Sequence, residues 1–265
     1  MYNLLKLNLA RNALRYIIRE YKIEKLYIPY YLCNVIRKSV LKENCKPIFY
    51  HIDDSFFPTK NFKKTDFILY PNYFGICDKN IEILENLYPN LIIDNSHSFF
   101  SKPKGLTCFN SARKFLPVLN GSCLWIKKIS LPLKEDSFYT NTPKNEDEII
   151  KIENSFEDFE VLKINDKVLK SIEAFDFEKI KNHRIKIFKD FHKKFSKQNL
   201  LNIDISNIES PFCYPYLFKD EKSADNFVKV LENKGITIYR YWNNLPENYN
   251  EYKFYRRLIP IPLNN

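Results

Sequence analysis

Residues 10–21 place apolar side chains at Ala10, Ala13, Leu14, Ile17 and Ile18, the three-and-four spacing that lines one face of an amphipathic helix. A short apolar run, Lys25–Pro29, reads as a strand closed by proline. The alternation continues with a helix over 31–42, a strand over Pro47–His51 and a strand over Asp66–Tyr70 that runs into Pro71-Asn72-Tyr73-Phe74-Gly75. A helix around 79–87 leads to the apolar run Leu91-Ile92-Ile93, which ends in Asp94. Strands at roughly twenty-residue intervals with helices between them are the mark of βαβ units and a parallel sheet. Thr107-Cys108-Phe109 and the strand Gly121–Ile126 follow.

The pattern then changes. Residues 129–160 are charged and weakly periodic, as a surface excursion or linker would be. Beyond about residue 166 the chain predicts a long basic helix over 177–196 and a strand over Cys213–Phe218. A helix over 222–234 stops at Gly235, a C-cap residue, and Ile236–Tyr239 reads as a last strand. The expected fold class is α/β: a large domain over residues 1–165 with a mostly parallel sheet flanked by helices, and a small α+β domain over 166–265.

Composition narrows this picture without redirecting it. Of 265 residues, 45% are hydrophobic and 16% aromatic, ample for a packed core, which excludes wholesale disorder. The net charge of +10 suits an anionic partner, yet the lysines are spread along the chain among Asp and Glu. There is no arginine-rich arm, RNA-binding aromatic signature or zinc-finger spacing, so nucleic acid is not an expected partner. The six cysteines (Cys33, Cys45, Cys77, Cys108, Cys123, Cys213) form no CxxC pair. They read as small buried hydrophobes in a reducing compartment rather than zinc ligands. The first residues lack the apolar stretch of a signal peptide, and no run approaches a membrane span. A soluble, cytoplasmic protein is expected.

The candidate chemistry lies in residues 91–114. Asp94 follows three apolar residues, so it falls at the carboxyl end of a buried strand, where a carboxylate needs a partner. A protonated pyridine nitrogen is one such partner; capping a following turn is the other use of an aspartate there. Lys114 follows twenty residues later. A lysine condenses with an aldehyde only as the free amine, which burial and a neighbouring cation favour; Arg113 and the apolar Phe115-Leu116-Pro117 run offer both. Ser111, three residues before the lysine, can reach a phosphate, and so can the backbone amides at the start of the first helix, Ala10 and Arg11. His97 can lie against an aromatic ring, or be purely structural. Aspartate, lysine and phosphate donors are the handles that pyridoxal phosphate (PLP) requires.

In this order the residues resemble a known family. Asn8-Leu-Ala-Arg-Asn-Ala-Leu14, Ile28-Pro-Tyr-Tyr-Leu-Cys33, Asn72-Tyr-Phe-Gly75, Ile93-Asp-Asn-Ser-His-Ser98 and Ser111-Ala-Arg-Lys-Phe-Leu-Pro-Val-Leu-Asn-Gly121 look like the DegT/DnrJ/EryC1/StrS aminotransferases. These are fold-type-I PLP enzymes acting largely on nucleotide-linked keto-sugars. The match covers residues 8–126 and continues more weakly through Gly235-Ile236, Trp242, Leu245-Pro246 and Leu258–Pro262.

The resemblance implies Lys114 as the Schiff-base lysine and general acid/base, Asp94 on the pyridinium nitrogen, and His97 by the phenolic oxygen. Ser111 and the Ala10–Arg11 amides would hold the phosphate. Cys33, with Tyr31 nearby, falls where relatives often place a ring-stacking aromatic, and Asn72 joins the site at a strand end. Related dehydratases carry histidine at the lysine position, so Lys114 implies transamination. The implied function is amino transfer, from glutamate, to a keto-sugar for surface polysaccharide or glycan biosynthesis, by a homodimer. The alternative is a catalytically degenerate relative acting as a binding or regulatory protein. The chain is a short member, and the family's Gly-Tyr-Asn-Tyr-Arg segment has no equivalent around 129–170.

Overall fold

The computed structural model describes residues 1–137, 155–156 and 159–263. The first group of elements is β1 (Asn3–Leu7), α1 (Ala10–Tyr21), β2 (Lys25–Pro29), α2 (Asn34–Lys42), β3 (Lys46–Tyr50), β4 (Phe67–Pro71), α3 (Asp78–Leu87), β5 (Leu91–Asn95), β6 (Thr107–Asn110) and β7 (Ser122–Ile126). The second is α4 (Asp166–Glu173), α5 (Phe177–Phe195), β8 (Cys213–Leu217), α6 (Glu221–Glu232), α7 (Tyr252–Arg257) and β9 (Leu258–Pro262).

Among the described residues seven strands form one sheet in the order β1-β7-β6-β5-β4-β2-β3. β3, β2, β4, β5 and β6 are mutually parallel, and β7 runs against both β6 and β1. The pleat sorts side chains onto two faces. Ile68, Tyr70, Leu91 and Ile93 enter one core with Tyr214, Tyr216, Ile259 and Ile261 of the C-terminal strands. Leu26, Ile28, Leu69, Ile92 and Phe109 enter the other, where Leu14, Ile17 and Ile18 of α1 cover them. Covering both faces explains why these strands read as unbroken apolar runs rather than alternating ones.

The mostly parallel α/β expectation holds, with four local corrections. α2 begins at Asn34, not 31, because Tyr31 turns into the core, where it is 1% exposed. β1 went unread: a five-residue edge strand of which Leu7 alone is buried carries little pattern. No strand forms over 236–239; Ile236 and Tyr239 are 38% and 60% exposed, so the segment has no face to bury. β8 pairs instead with β9, from Cys213 against Pro262 to Leu217 against Leu258. Pro215 and Pro260 face each other there, a position where neither N–H is needed by the ladder. The excursion expected over 129–160 falls largely on residues outside the described ones.

Gly75 shows how closely the chain folds back on the strand ends. Its φ is +72°, and an added Cβ would lie 2.2 Å from the Ser210 carbonyl oxygen and 2.5 Å from that of His97. Both contacts are backbone and cannot swing aside. Gly75→Ala is therefore expected to destabilise the fold by about 3 kcal/mol or more, read as a drop in thermal midpoint; an unchanged midpoint would show that this approach is not tight.

Candidate active site

Three parallel strands end at one level. Pro71 of β4 pairs with Asp94 of β5, and Asn95 of β5 with Asn110 of β6. The chain leaves these ends through Asn72, Ser96 and Ser111, and beyond them lies a cavity that opens to solvent. Ligands of parallel sheets collect at this end. Ala10, Arg11, Cys33, Asn72, Asp94, His97, Ser111 and Lys114 all line the cavity.

Lys114 ends the single helical turn Ala112–Lys114 that follows β6. Its Nζ donates to Nε2 of His97 at 2.7 Å and lies 5.6 Å from the Phe212 ring centre and 5.9 Å from that of Tyr241. Burial lowers its pKa to about 8, with Arg113 pushing the same way and Cys33 and Asp94 opposing. A lysine in this setting holds roughly a tenth of its population as free amine at pH 7, against well under a thousandth for an ordinary lysine. Burial, and then the nearby Lys114, push His97 well below its ordinary range, so the imidazole is neutral, its Nε2 accepting from the lysine. The His97 ring lies near-parallel to Phe212 (4.4 Å, 13°) and to Trp242 (5.6 Å, 11°).

Asp94 is 7% exposed, and its Oδ1 accepts from the Ser96 N–H at 2.8 Å. Burial raises its pKa, against the pull of Ser96 and Lys114. A carboxylate in that state is stabilised by any cation brought to it.

The opposite chemistry gathers at the start of α1. Leu9 occupies the N-cap position and provides no side-chain cap, so the start of α1 offers the positive end of its helix dipole to the cavity. A buried network fixes this end: Asn12 donates to Asn8, and Asn8 to Asp136, each at 3.0 Å. Gly121 N–H donates to the Asn8 carbonyl, and Ala112 N–H to the Gly121 carbonyl, which brings Ser111 and Asn120 beside the helix start. Asn120 is 2% exposed, lines the cavity, and its Nδ2 has no hydrogen-bond partner among the described residues.

Not every residue named from the sequence opens on the cavity. Tyr31 lies behind the wall, edge-on to Trp242 at 4.6 Å and stacked on Tyr73 at 5.8 Å. Asn72 lines the cavity, but its amide is committed to the Asp78 and Asn95 side chains and its oxygen to the Cys77 N–H. Cys33 sits at the start of α2 with its side chain on the cavity. Sequence reasoning did not place Trp242, Phe212 or Asn120 here. In the sequence Trp242 and Asn120 stand out only through the resemblance, without a role; the backbone at Trp242 is left-handed, φ 59°, a strained conformation kept where a side chain must point one way. Among the described residues no group of His, Cys, Asp and Glu is arranged to hold a metal ion, and no helix is long and apolar enough to cross a membrane.

No protein-family model matches the sequence, and no curated protein does. Solved structures match along nearly the whole chain. Spr1654 from Streptococcus pneumoniae, assigned as a sugar aminotransferase and solved in its PLP form, superposes with a TM-score of 0.69 at 14% identity, covering 99% of this chain and 82% of that one. A DegT DnrJ EryC1 StrS aminotransferase from Brucella abortus gives 0.65 at 13% identity, covering 98% and 80%. PseC from Helicobacter pylori, an aminotransferase involved in the biosynthesis of pseudoaminic acid, gives 0.64 at 15% identity, covering 98% and 81%. The chain folds as these aminotransferases do, in the architecture of fold-type-I PLP enzymes.

Proposed function

We propose that the chain is a PLP-dependent aminotransferase that takes an amino group from glutamate and delivers it to a nucleotide-linked keto-sugar, in surface polysaccharide or glycan biosynthesis. The observation that carries this reading is one cavity holding a lysine lowered to about pKa 8, a buried carboxylate and an uncapped helix start.

The residues present fit the cofactor. Asp94 is a buried carboxylate suited to a protonated ring nitrogen, and the orphaned Asn120 amide is a donor in want of an acceptor. When bound, PLP supplies the electron sink that stabilises a carbanion next to an amine. Lys114 would join the cofactor through Nζ and, once released, hold and return the substrate proton at that atom. Asp94 would keep the ring nitrogen protonated, and His97 would lie by the phenolic oxygen. Ser111, the Ala10 and Arg11 amides and Asn120 would hold the phosphate, Cys33 would pack on the ring, and Asn72 braces the strand end.

A second cavity adjoins the first, sharing Arg11 and Val35 and lined also by Arg15, Lys38 and Lys42. Arg15 is held by Glu43 at 2.6 Å, and the basic side chains that line this cavity suit a diphosphate-bearing substrate. A homodimer and a division into domains 1–165 and 166–265 belong to the same proposal.

Asn120→Ala is expected to weaken PLP binding about tenfold, the value of one hydrogen bond to a charged group, in an absorbance titration. Its thermal midpoint should stay near wild type, because no bond within the protein is lost. Equal affinity would remove Asn120 from the phosphate site. The function itself is tested by incubating the PLP-loaded protein with glutamate and nucleotide-linked keto-sugars. Formation of 2-oxoglutarate matched by an aminated sugar is expected; no 2-oxoglutarate with any acceptor would leave a degenerate relative.

A further inference from the structure

Arg184, in the middle of α5, is 7% exposed and stands outside the set just described. Its Nε donates to the Pro211 carbonyl at 3.1 Å, its Nη2 donates to the Phe212 carbonyl, and its guanidinium lies 4.8 Å from the Phe115 ring centre. These contacts reach the site from two directions. Phe212 is the ring stacked on His97, and Phe115 directly follows Lys114.

A buried cation is expensive, and an apolar side chain of similar size would fill the same space at lower cost. What an apolar side chain lacks is a planar fork that grips two successive carbonyls. That grip fixes the backbone at Pro211–Phe212 and with it the plane of the Phe212 ring. The same segment is tied to the strand-end loops by Phe212 N–H to the Phe74 carbonyl at 2.9 Å and by the Ser98 hydroxyl to the Ser210 carbonyl at 3.2 Å.

We propose that Arg184 is a positioning residue for Lys114: it locks Phe212 against His97 and Phe115 beside the lysine, so that Nζ stays dry and directed at His97 Nε2. The proposal rests on the aminotransferase reading only in treating Lys114 as the reacting amine. Burial is the main cause of the lowered Lys114 pKa, so a loosened ring that admits water moves that pKa back towards 10.5. The titratable groups facing Lys114 are Asp94, His97, Arg113, Cys33, Cys213 and Tyr241, and none is altered in the variants below.

The test is competitive acetylation of the full chain with acetic anhydride across pH 6–11, without added cofactor, reading the Lys114 peptide by mass spectrometry. Wild type is expected to label with a midpoint near pH 8. Arg184→Met and Phe212→Leu should each raise that midpoint by about one pH unit. Arg184→Lys, which keeps the charge but not the fork, should raise it by less. Because Arg184 acts on Lys114 partly through the Phe212 ring, the double variant should shift by less than the sum of the two single shifts. A wild-type midpoint in folded Arg184→Met or Phe212→Leu, or additive shifts, would overturn the proposal. If Arg184→Met does not fold, unchanged midpoints in Arg184→Lys and Phe212→Leu overturn it equally. No cofactor enters this measurement, so a failure to bind PLP is a separate result that leaves it standing.

Discussion

Lys114→Ala is expected to abolish transamination, with a loss of at least ~10⁴-fold, because the same nitrogen forms the covalent link and carries the substrate proton. The fold should survive. Lys114 is a cation in surroundings that disfavour its charge, so its removal relieves a destabilising group at neutral pH. The sign follows from linkage: with a folded pKa of about 8 against an ordinary 10.5, the unfolded chain binds the extra proton between those values. Wild-type stability therefore gains a contribution from Lys114 as the pH rises from about 8 towards 10.5, and the variant lacks that rise. Matched denaturation curves at pH 7.5 and 10 check it; an identical pH response in both proteins would show that Lys114 is not buried as described.

Asp94→Asn should separate binding from turnover. Without a carboxylate the ring nitrogen of a bound cofactor loses its proton, and the electron sink is lost with it. Turnover is expected to fall by roughly 10³-fold, while Lys114 still forms an adduct that borohydride traps. The carboxyl pKa is raised by burial, so its ionised form opposes folding once the pH exceeds the ordinary carboxylate range. Asp94→Asn should then raise, not lower, the thermal midpoint at pH 7. Glutamate turnover within tenfold of wild type would remove Asp94 from the pyridine nitrogen.

The parts of this account legible in the sequence are those written locally. β2, β4 and β5 are short apolar runs because both faces are covered, and Asp94, His97, Ser111 and Lys114 sit at the ends of two adjacent strands, within one stretch of chain. The start of α1 was legible because Ala10–Ile18 has a helical period and Leu9 cannot cap it. What remained hidden depends on chain folding back from far away. Phe212 reaches His97 only because Ser210–Phe212 lies against Gly75 and is gripped by Arg184. Trp242 follows a segment that reads as a strand but finds no partner, since β9 takes the edge of β8. Tyr31 misled for the opposite reason: its place beside Cys33 in sequence points to the cavity, while the turn before α2 sends the ring into the core. Asn120 lies within the Ser111–Gly121 motif, but its role shows only in the folded chain, where its buried amide has no partner.

Whether Lys114 binds PLP is read from the visible absorption spectrum of the purified protein with added PLP, recorded beside that of Lys114→Ala. An imine band that borohydride removes, leaving a reduced adduct on the Lys114 peptide, is expected in wild type and absent from the variant. A folded wild-type protein with no imine band, or a band that persists in Lys114→Ala, would contradict PLP binding by Lys114.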